Sequence, residues 1–339
     1  MNRVISIDYA KGLAILMLLL SHCISDVGHL KTWIFAWHMP IFFIICGILN
    51  TMRNPEGIPF REFSSWIKHR IKQVFVPYFV FGLLYIFFIG MLSFISEGKF
   101  ILMDELISLF SLKGVASMWF LPVYFFAELL YVFFISKIPN ISQGLLISCI
   151  VFFLLYNQVD GQIQVAESYV QLTKVLVSLV FVVLGRYLWV LKEKVFMNFY
   201  YIPLIITFFL ISLLALYNGF VGIGSLSLGN VILFYMVAST LSVLIMTLLE
   251  KIGQRVDSKN KILNFLSLFG VNSIVVLVSN NLLIEIFRLI EYKYFNNIFL
   301  NSGTLGGLLM AVILIIPEFC LIQLSQGKIG FLFGKINYR

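Results

Sequence analysis

His22 stands eleven residues after Lys11 and fourteen after Asp8, inside a Leu/Ile/Met-rich stretch of a chain that has 4 histidines. Eleven residues are about three helical turns, so on a helix the imidazole and the ammonium share one stripe, roughly 16 Å apart along the axis. Asp8, one turn before Lys11, joins that stripe. An imidazole titrates near neutral pH and is suited to general-base work. Ionisable groups are costly in hydrocarbon, so a stripe of three on one apolar helix points to a reaction site or a conduction path inside a bilayer.

Other side chains could join this chemistry. Trp37-His38-Met39-Pro40 opens the next apolar stretch at about the depth of His22, and places a second imidazole, His38, where the two rings could share a cavity. Glu128 lies nine residues beyond Trp119, in a stretch that starts Met118-Trp119-Phe120-Leu121-Pro122. A carboxylate at that depth pairs with a cation or holds a proton through desolvation. Asn281, Glu285 and Arg288 fall at i, i+4 and i+7, so they share one helix face. With Asn280 beside them, that face suits interhelical hydrogen bonding and cavity lining equally. Glu318, after Pro317, is expected to be a structural partner for a buried cation. The run Trp66 to Gln73, taken as a loop, carries Lys68, Arg70 and Lys72. These are the positive residues expected on the cytoplasmic side, and they also suit an anion clamp for a phosphate-bearing cofactor.

The elements that must position these residues follow from composition. The chain has 339 residues, 60% hydrophobic and 12% charged, with a mean hydropathy of +0.99. A soluble domain carries about 25% charge, so this is an all-α polytopic membrane protein. About twenty apolar residues cross a bilayer, and ten stretches qualify: 5–23, 33–50, 74–95, 116–136, 139–157, 168–190, 199–217, 228–249, 265–288 and 304–325. With both termini cytoplasmic, the inner loops collect Arg53, Arg61, Lys68, Arg70 and Lys72, then Arg186, Lys192 and Lys194, then Lys251, Arg255, Lys259 and Lys261. That asymmetry follows the positive-inside rule, and it accounts for the net charge of +8 without nucleic acid as a partner. Residues 99–115, with Phe100, Ile101, Leu106, Ile107 and Phe110 among charged neighbours, read as an interfacial helix on the outer face. The four cysteines are scattered singly, with no metal-ligand spacing. Asp8 and Lys11 interrupt the first apolar run, so it reads as a mature helix and not as a signal peptide. Residues 1–339 are expected to form one transmembrane domain without a metal.

Taken in order, the motifs resemble acyltransferase family 3, the integral membrane proteins that include bacterial polysaccharide O-acetyltransferases, and within it the fucose-4-O-acetylase-like branch. The resemblance covers essentially the whole chain. It rests on Ile7-Asp8-Tyr9-Ala10-Lys11-Gly12-Leu13-Ala14-Ile15 leading to His22, similar to the family's basic residue, ten spacers and histidine. It rests also on His38-Met39-Pro40-Ile41-Phe42-Phe43 with Gly47, on Lys68 to Tyr78, on Trp119-Phe120-Leu121 with Glu128, and on Gly270-Val271-Asn272-Ser273. The chain departs where Lys11 stands for the commoner Arg, where Cys46-Gly47 replaces Ser-Gly, where a pair of arginines is reduced to Arg70 with Gln73, and where Asn280 and Asn281 stand in place of a further histidine. No esterase-like soluble domain of the kind fused to some relatives is expected within these residues.

The resemblance implies a cytoplasmic-membrane enzyme of bacteria that moves an acetyl group from acetyl-CoA to a glycan or lipid-linked saccharide. His22 would then be the catalytic base, with Glu128 or His38 orienting its ring. Lys11, Arg70, Lys68 and Lys72 would hold the cofactor phosphates, and the polar residues of the spans place Asp8, Trp119, Asn280, Asn281, Glu285 and Arg288 along the cavity, with no family role carried over to the two asparagines. The competing class is a transporter or flippase for a lipid-linked oligosaccharide or small solute, with buried His, Lys and Glu as a proton relay. The separate membrane-bound O-acyltransferase superfamily keeps its key histidine late in the chain, whereas no histidine follows position 69 here.

Overall fold

The computed structural model describes residues 4–97, 102–191, 201–256 and 260–335. Lys192, Lys194, Lys259, Phe100 and Ile101, and the first two residues of the stretch expected at 199–217, lie outside the described residues. The helices are α1 (Ile5–Cys23), α2 (His29–Phe35), α3 (Pro40–Arg53), α4 (Phe60–Glu97), α5 (Met103–Phe110), α6 (Phe120–Phe133), α7 (Asn140–Tyr156) and α8 (Val170–Val190). They continue with α9 (Tyr201–Tyr217), α10 (Val231–Arg255), α11 (Lys261–Val271), α12 (Ser273–Tyr294), α13 (Ile298–Asn301) and α14 (Gly303–Leu324). The described strands are Gln158–Val159 and Gln162–Ile163, an antiparallel hairpin. Asp160 and Gly161, with φ of 47° and 78°, make its two-residue turn.

The chain is an all-α polytopic membrane protein. Among the described residues, eight helical stretches are long and apolar enough to cross a membrane, and α7, α9 and α11 are shorter apolar helices. The outward residues are those lipid would solvate: Phe87, Phe152, Phe209 and Val312 are all exposed. The spans expected at 139–157 and 199–217 are α7 and α9, each 17 residues. At about 26 Å by helical rise they fall a little short of a ~30 Å hydrocarbon core.

The chain divides into two compact units. The first holds Met1–Ser21, Val27–Pro59 and Phe126–Val271. Between lipid-solvated helices there is little hydrophobic drive to associate, so close packing at small residues has to supply it. A Cβ on Gly47 of α3 would sit 1.9 Å from the Val182 carbonyl oxygen of α8, and one on Gly185 of α8 would sit 2.1 Å from that of Ile44. The α1–α11 crossing is built the same way, with Gly12 against the Leu266 carbonyl and Gly270 against the Asp8 carbonyl, each at 1.9 Å for an added Cβ. Backbone meets backbone at both crossings, so no rotamer change could make room for a methyl group.

The second unit holds His22–Asp26, Phe60–Phe125 and Asn272–Arg339. Here α4 runs 38 residues, about 57 Å by rise. Trp66 to Gln73, expected as a loop, is therefore helical. No Gly or Pro interrupts the segment between Phe60 and Pro77, so the span simply continues past the membrane. Pro77 has no N–H and frees the Gln73 carbonyl from the helical ladder. Gly334, with φ of +70°, approaches that same carbonyl so closely that a Cβ would lie 2.4 Å from it. The 3₁₀ turn Lys328–Phe333 thus straps the C-terminal segment onto α4, with Phe333 against Phe81 at 4.8 Å between rings.

Two further expectations change in this unit. The span placed at 265–288 is broken at Asn272 (φ −105°, ψ 22°), so that α11 ends and α12 begins there. The Lys335 ammonium donates to Asn272 Oδ1 and Ser325 Oγ, both at 2.6 Å, and its partial burial draws its pKa below the ordinary lysine value. The helix within 99–115 is α5, and it packs beside α4: the Tyr78 hydroxyl donates to the Leu109 carbonyl at 2.8 Å, and Gly82 faces the Leu109 side chain. That is about 22 Å short of the end of α4, so α5 folds back along α4 and does not sit beyond its tip.

The glycine crossings are directly testable. Gly47→Leu and Gly185→Val should each lower stability by at least ~2 kcal/mol, at the upper side of overpacking costs. Gly144→Ala on α7, with nothing within 4 Å of the added methyl group, should leave it unchanged. Thermal unfolding of the three variants in detergent gives the comparison.

Candidate active site

In the first unit, Lys11 Nζ and Asp8 Oδ1 form an ion pair at 3.3 Å, both largely buried. The i, i+3 spacing on α1 brings them together, and the Gly270–Asp8 approach presses this turn against α11. The predicted stripe therefore holds a compensated charge at its start. His38 falls in the turn between α2 and α3, 2% exposed, with Nδ1 at 2.8 Å from the Ile34 carbonyl. The Phe35 ring packs edge-on at 5.0 Å. Glu128 of α6 is 3% exposed and accepts from Asn50 Nδ2 at 2.9 Å, while the same amide also donates to the Cys46 carbonyl at 3.0 Å. Asn50, one turn after Cys46 on α3, was not singled out from the sequence. A carboxyl group in a membrane span is the only signal that could have asked for such a partner.

In the second unit, His22 lies at the last turn of α1, half-buried. Its carbonyl, one of the last four of α1, has no partner within the helix. Arg288 Nη2 of α12 donates to it at 3.4 Å. Arg288 also pairs through Nη1 with Glu285 Oε1 at 3.1 Å, one turn earlier. The face predicted for α12 is thus turned to the end of α1, and Asn281, on the same face, is engaged as well. Asn281 Nδ2 donates to Ser117 Oγ, and the Ser117 hydroxyl donates to Asn280 Oδ1 at 3.5 Å. Ser117 belongs to the 3₁₀ turn Ala116–Trp119 that leads into α6. Asn280 is fully buried, and its Nδ2 has no acceptor among the described residues. Such a donor costs about 1–3 kcal/mol. Arg288 Nε is buried under the same condition. Glu318 of α14 accepts from Ser279 at 2.7 Å, so a hydroxyl takes the place of the cation expected there.

Of the three cations predicted for the phosphate clamp, the structure separates one from the others. Lys68 and Lys72 are exposed, whereas Arg70 is half-buried. Its Nη1 donates to Gln73 Oε1 at 2.7 Å, and its guanidinium lies over the Tyr124 ring at 5.9 Å. A planar cation held on one edge by an amide and on one face by a ring has its guanidinium fixed in orientation. Trp119, half-buried, meets Phe120 edge-on in the same unit.

The arrangement can therefore supply an imidazole at a helix end, a fixed guanidinium and a buried amide donor in one unit. The chain matches the family profile of acyltransferase family 3, described as an acyltransferase domain, over residues 4–321. No curated protein and no solved structure matches it.

The Glu128–Asn50 contact predicts an asymmetry. Asn50→Leu leaves the buried carboxyl group without this donor and should destabilise by about 1–3 kcal/mol. Glu128→Gln keeps an oxygen acceptor and should cost under ~1 kcal/mol. Melting curves in detergent would show equal losses if the contact contributed nothing.

Proposed function

The chain belongs to acyltransferase family 3, and from that premise we propose that this membrane acyltransferase is an O-acetyltransferase of the bacterial cytoplasmic membrane. It takes an acetyl group from cytoplasmic acetyl-CoA and delivers it to a sugar hydroxyl of an exported or surface glycan, free or lipid-linked. The observation that carries this reading is His22, at the end of the same uninterrupted helix as Lys11 and held through its backbone by Arg288. Family membership favours an enzyme over a carrier.

In this reading His22 accepts the proton of the sugar hydroxyl as the sugar oxygen attacks the thioester carbonyl. The tetrahedral intermediate collapses with cleavage of the C–S bond, and the imidazolium returns its proton to the departing CoA thiolate. Every proton is accounted for, and His22 ends as it began. Arg70 meets the CoA phosphates with its fixed guanidinium. Lys68 and Lys72, exposed on the same helix, add attraction at longer range that salt screens. Lys11, paired with Asp8, contributes a dipolar partner more than a bare charge.

Two measurements separate these roles. His22→Ala should abolish acetylation of the cell's glycans, read as loss of the acetyl mass increment, while membrane insertion and melting in detergent stay unchanged; normal acetylation would remove His22 from the mechanism. Arg70→Ala should weaken acetyl-CoA binding to the purified protein by about tenfold to a hundredfold, the equivalent of one to two charge-assisted hydrogen bonds. Lys72→Ala should stay within about twofold. Equal losses at the two positions would argue for a diffuse basic patch in place of a clamp.

A further inference from the structure

A serine hydroxyl carries one hydrogen, so of the two asparagine amides that meet Ser117 one donates to it and the other accepts from it. Asn281 Nδ2 donates to Ser117 Oγ, so the single Ser117 hydrogen is left for Asn280 Oδ1. The amide oxygen of Asn280 is thereby occupied, and its NH₂ must point the other way. The two ends of an amide have nearly the same shape, so only such a network decides which end faces a cavity. Here it is the donor end, fully buried and with no acceptor among the described residues.

The surroundings say what kind of acceptor fits. Arg288, two turns beyond on α12, touches the His22 carbonyl, and its Nε is a second buried N–H without an acceptor among the described residues. Eight residues separate Asn280 from Arg288, about 12 Å by helical rise. Ser117 itself is 8% exposed and immediately precedes Met118-Trp119 at the head of α6. A buried N–H donor without an acceptor suits an oxygen that gains negative charge.

We propose that Ser117 is a positioning residue that locks the Asn280 amide as the hydrogen-bond donor to the acyl carbonyl oxygen, with Asn281 consumed in holding Ser117. This rests on the acetyl-CoA reading given above. As the sugar oxygen adds to the carbonyl carbon, the C=O electron pair moves onto oxygen and the Asn280 N–H bond to it strengthens. When the C–S bond breaks the carbonyl re-forms, and no proton leaves the amide. The role divides two adjacent asparagines that the sequence cannot tell apart: Asn280 meets the substrate and Asn281 does not.

The test uses [1-¹³C]acetyl-CoA bound to the purified full chain in detergent, read by isotope-edited infrared difference spectroscopy. In the wild type the thioester carbonyl band should lie below its position in free acetyl-CoA. Ser117→Ala should return the band toward the free value, and Ser117→Thr, which keeps the hydroxyl, should restore the shift. Asn281→Leu breaks the relay from its other end and should act like Ser117→Ala, which keeps the test decisive if one variant folds poorly. Acetyl-CoA turnover in membranes, followed as released thiol, should fall about tenfold to a hundredfold in Ser117→Ala, with its KM unchanged. A wild-type band shift in Ser117→Ala, or equal losses of turnover in the Ala and Thr variants, would overturn the positioning role alone. Failure of the wild-type protein to bind acetyl-CoA would instead overturn the donor assignment and this role together.

Discussion

The closest physical constraint in this protein is the contact of bare backbone with bare backbone at helix crossings. In lipid, exposed Leu and Phe gain nothing by burial against one another, so helices associate where they come close enough for dispersion and polar contacts to act. In the first unit Gly47 and Gly185 let α3 and α8 touch, while Gly12 and Gly270 do the same for α1 and α11. In the second, Gly307 lies against Ile24, with an added Cβ only 2.7 Å from its Cα. These contacts place chemistry as well as hold helices. The α1–α11 crossing falls on the turn that carries Asp8 and Lys11, and Ile24 follows His22 by two residues.

Given those crossings, the polar groups in the helices must find partners inside the protein, because hydrocarbon offers none. Most do so in pairs: Asp8 with Lys11, Asn50 with Glu128, Ser279 with Glu318, and Glu285 with Arg288. Against that background a buried donor without a partner stands out. Asn280 Nδ2 and Arg288 Nε belong to one helix in the unit that also contains His22 and Arg70. Among the described residues such donors also include Trp37 Nε1, but Asn280 and Arg288 are the pair that shares one helix.

The elements differ in how far they could be read in advance. Where a span is bounded by a clear change of hydropathy, as in α1 at Ile5–Cys23 and α14 at Gly303–Leu324, the boundaries agree with the sequence to within a residue or two. Where an apolar run passes into a polar helix, hydropathy fails, since it measures the solvent a segment prefers and not its backbone conformation. That is why Trp66 to Gln73 is helix in α4 and not loop, and why the break at Asn272 passed unnoticed inside a continuous apolar run. The hairpin turn at Asp160-Gly161 did carry a local signal, since that pair favours the positive φ values such turns need.

The sequence by itself determined the membrane class, the helical fold and the family, and it placed Lys11 and His22 on one helix. Those properties depend on local composition and on spacings along a single element. Only the tertiary structure decided that Lys11 is neutralised by Asp8, that Arg70 and not Lys68 or Lys72 is half-buried, that Glu128 answers to Asn50, and that Ser117 bridges two asparagine amides. Each is a pairing or a burial set by rotamer and packing. Even for Asp8 and Lys11, one turn apart, spacing alone allowed either a bond to each other or a bond to a ligand.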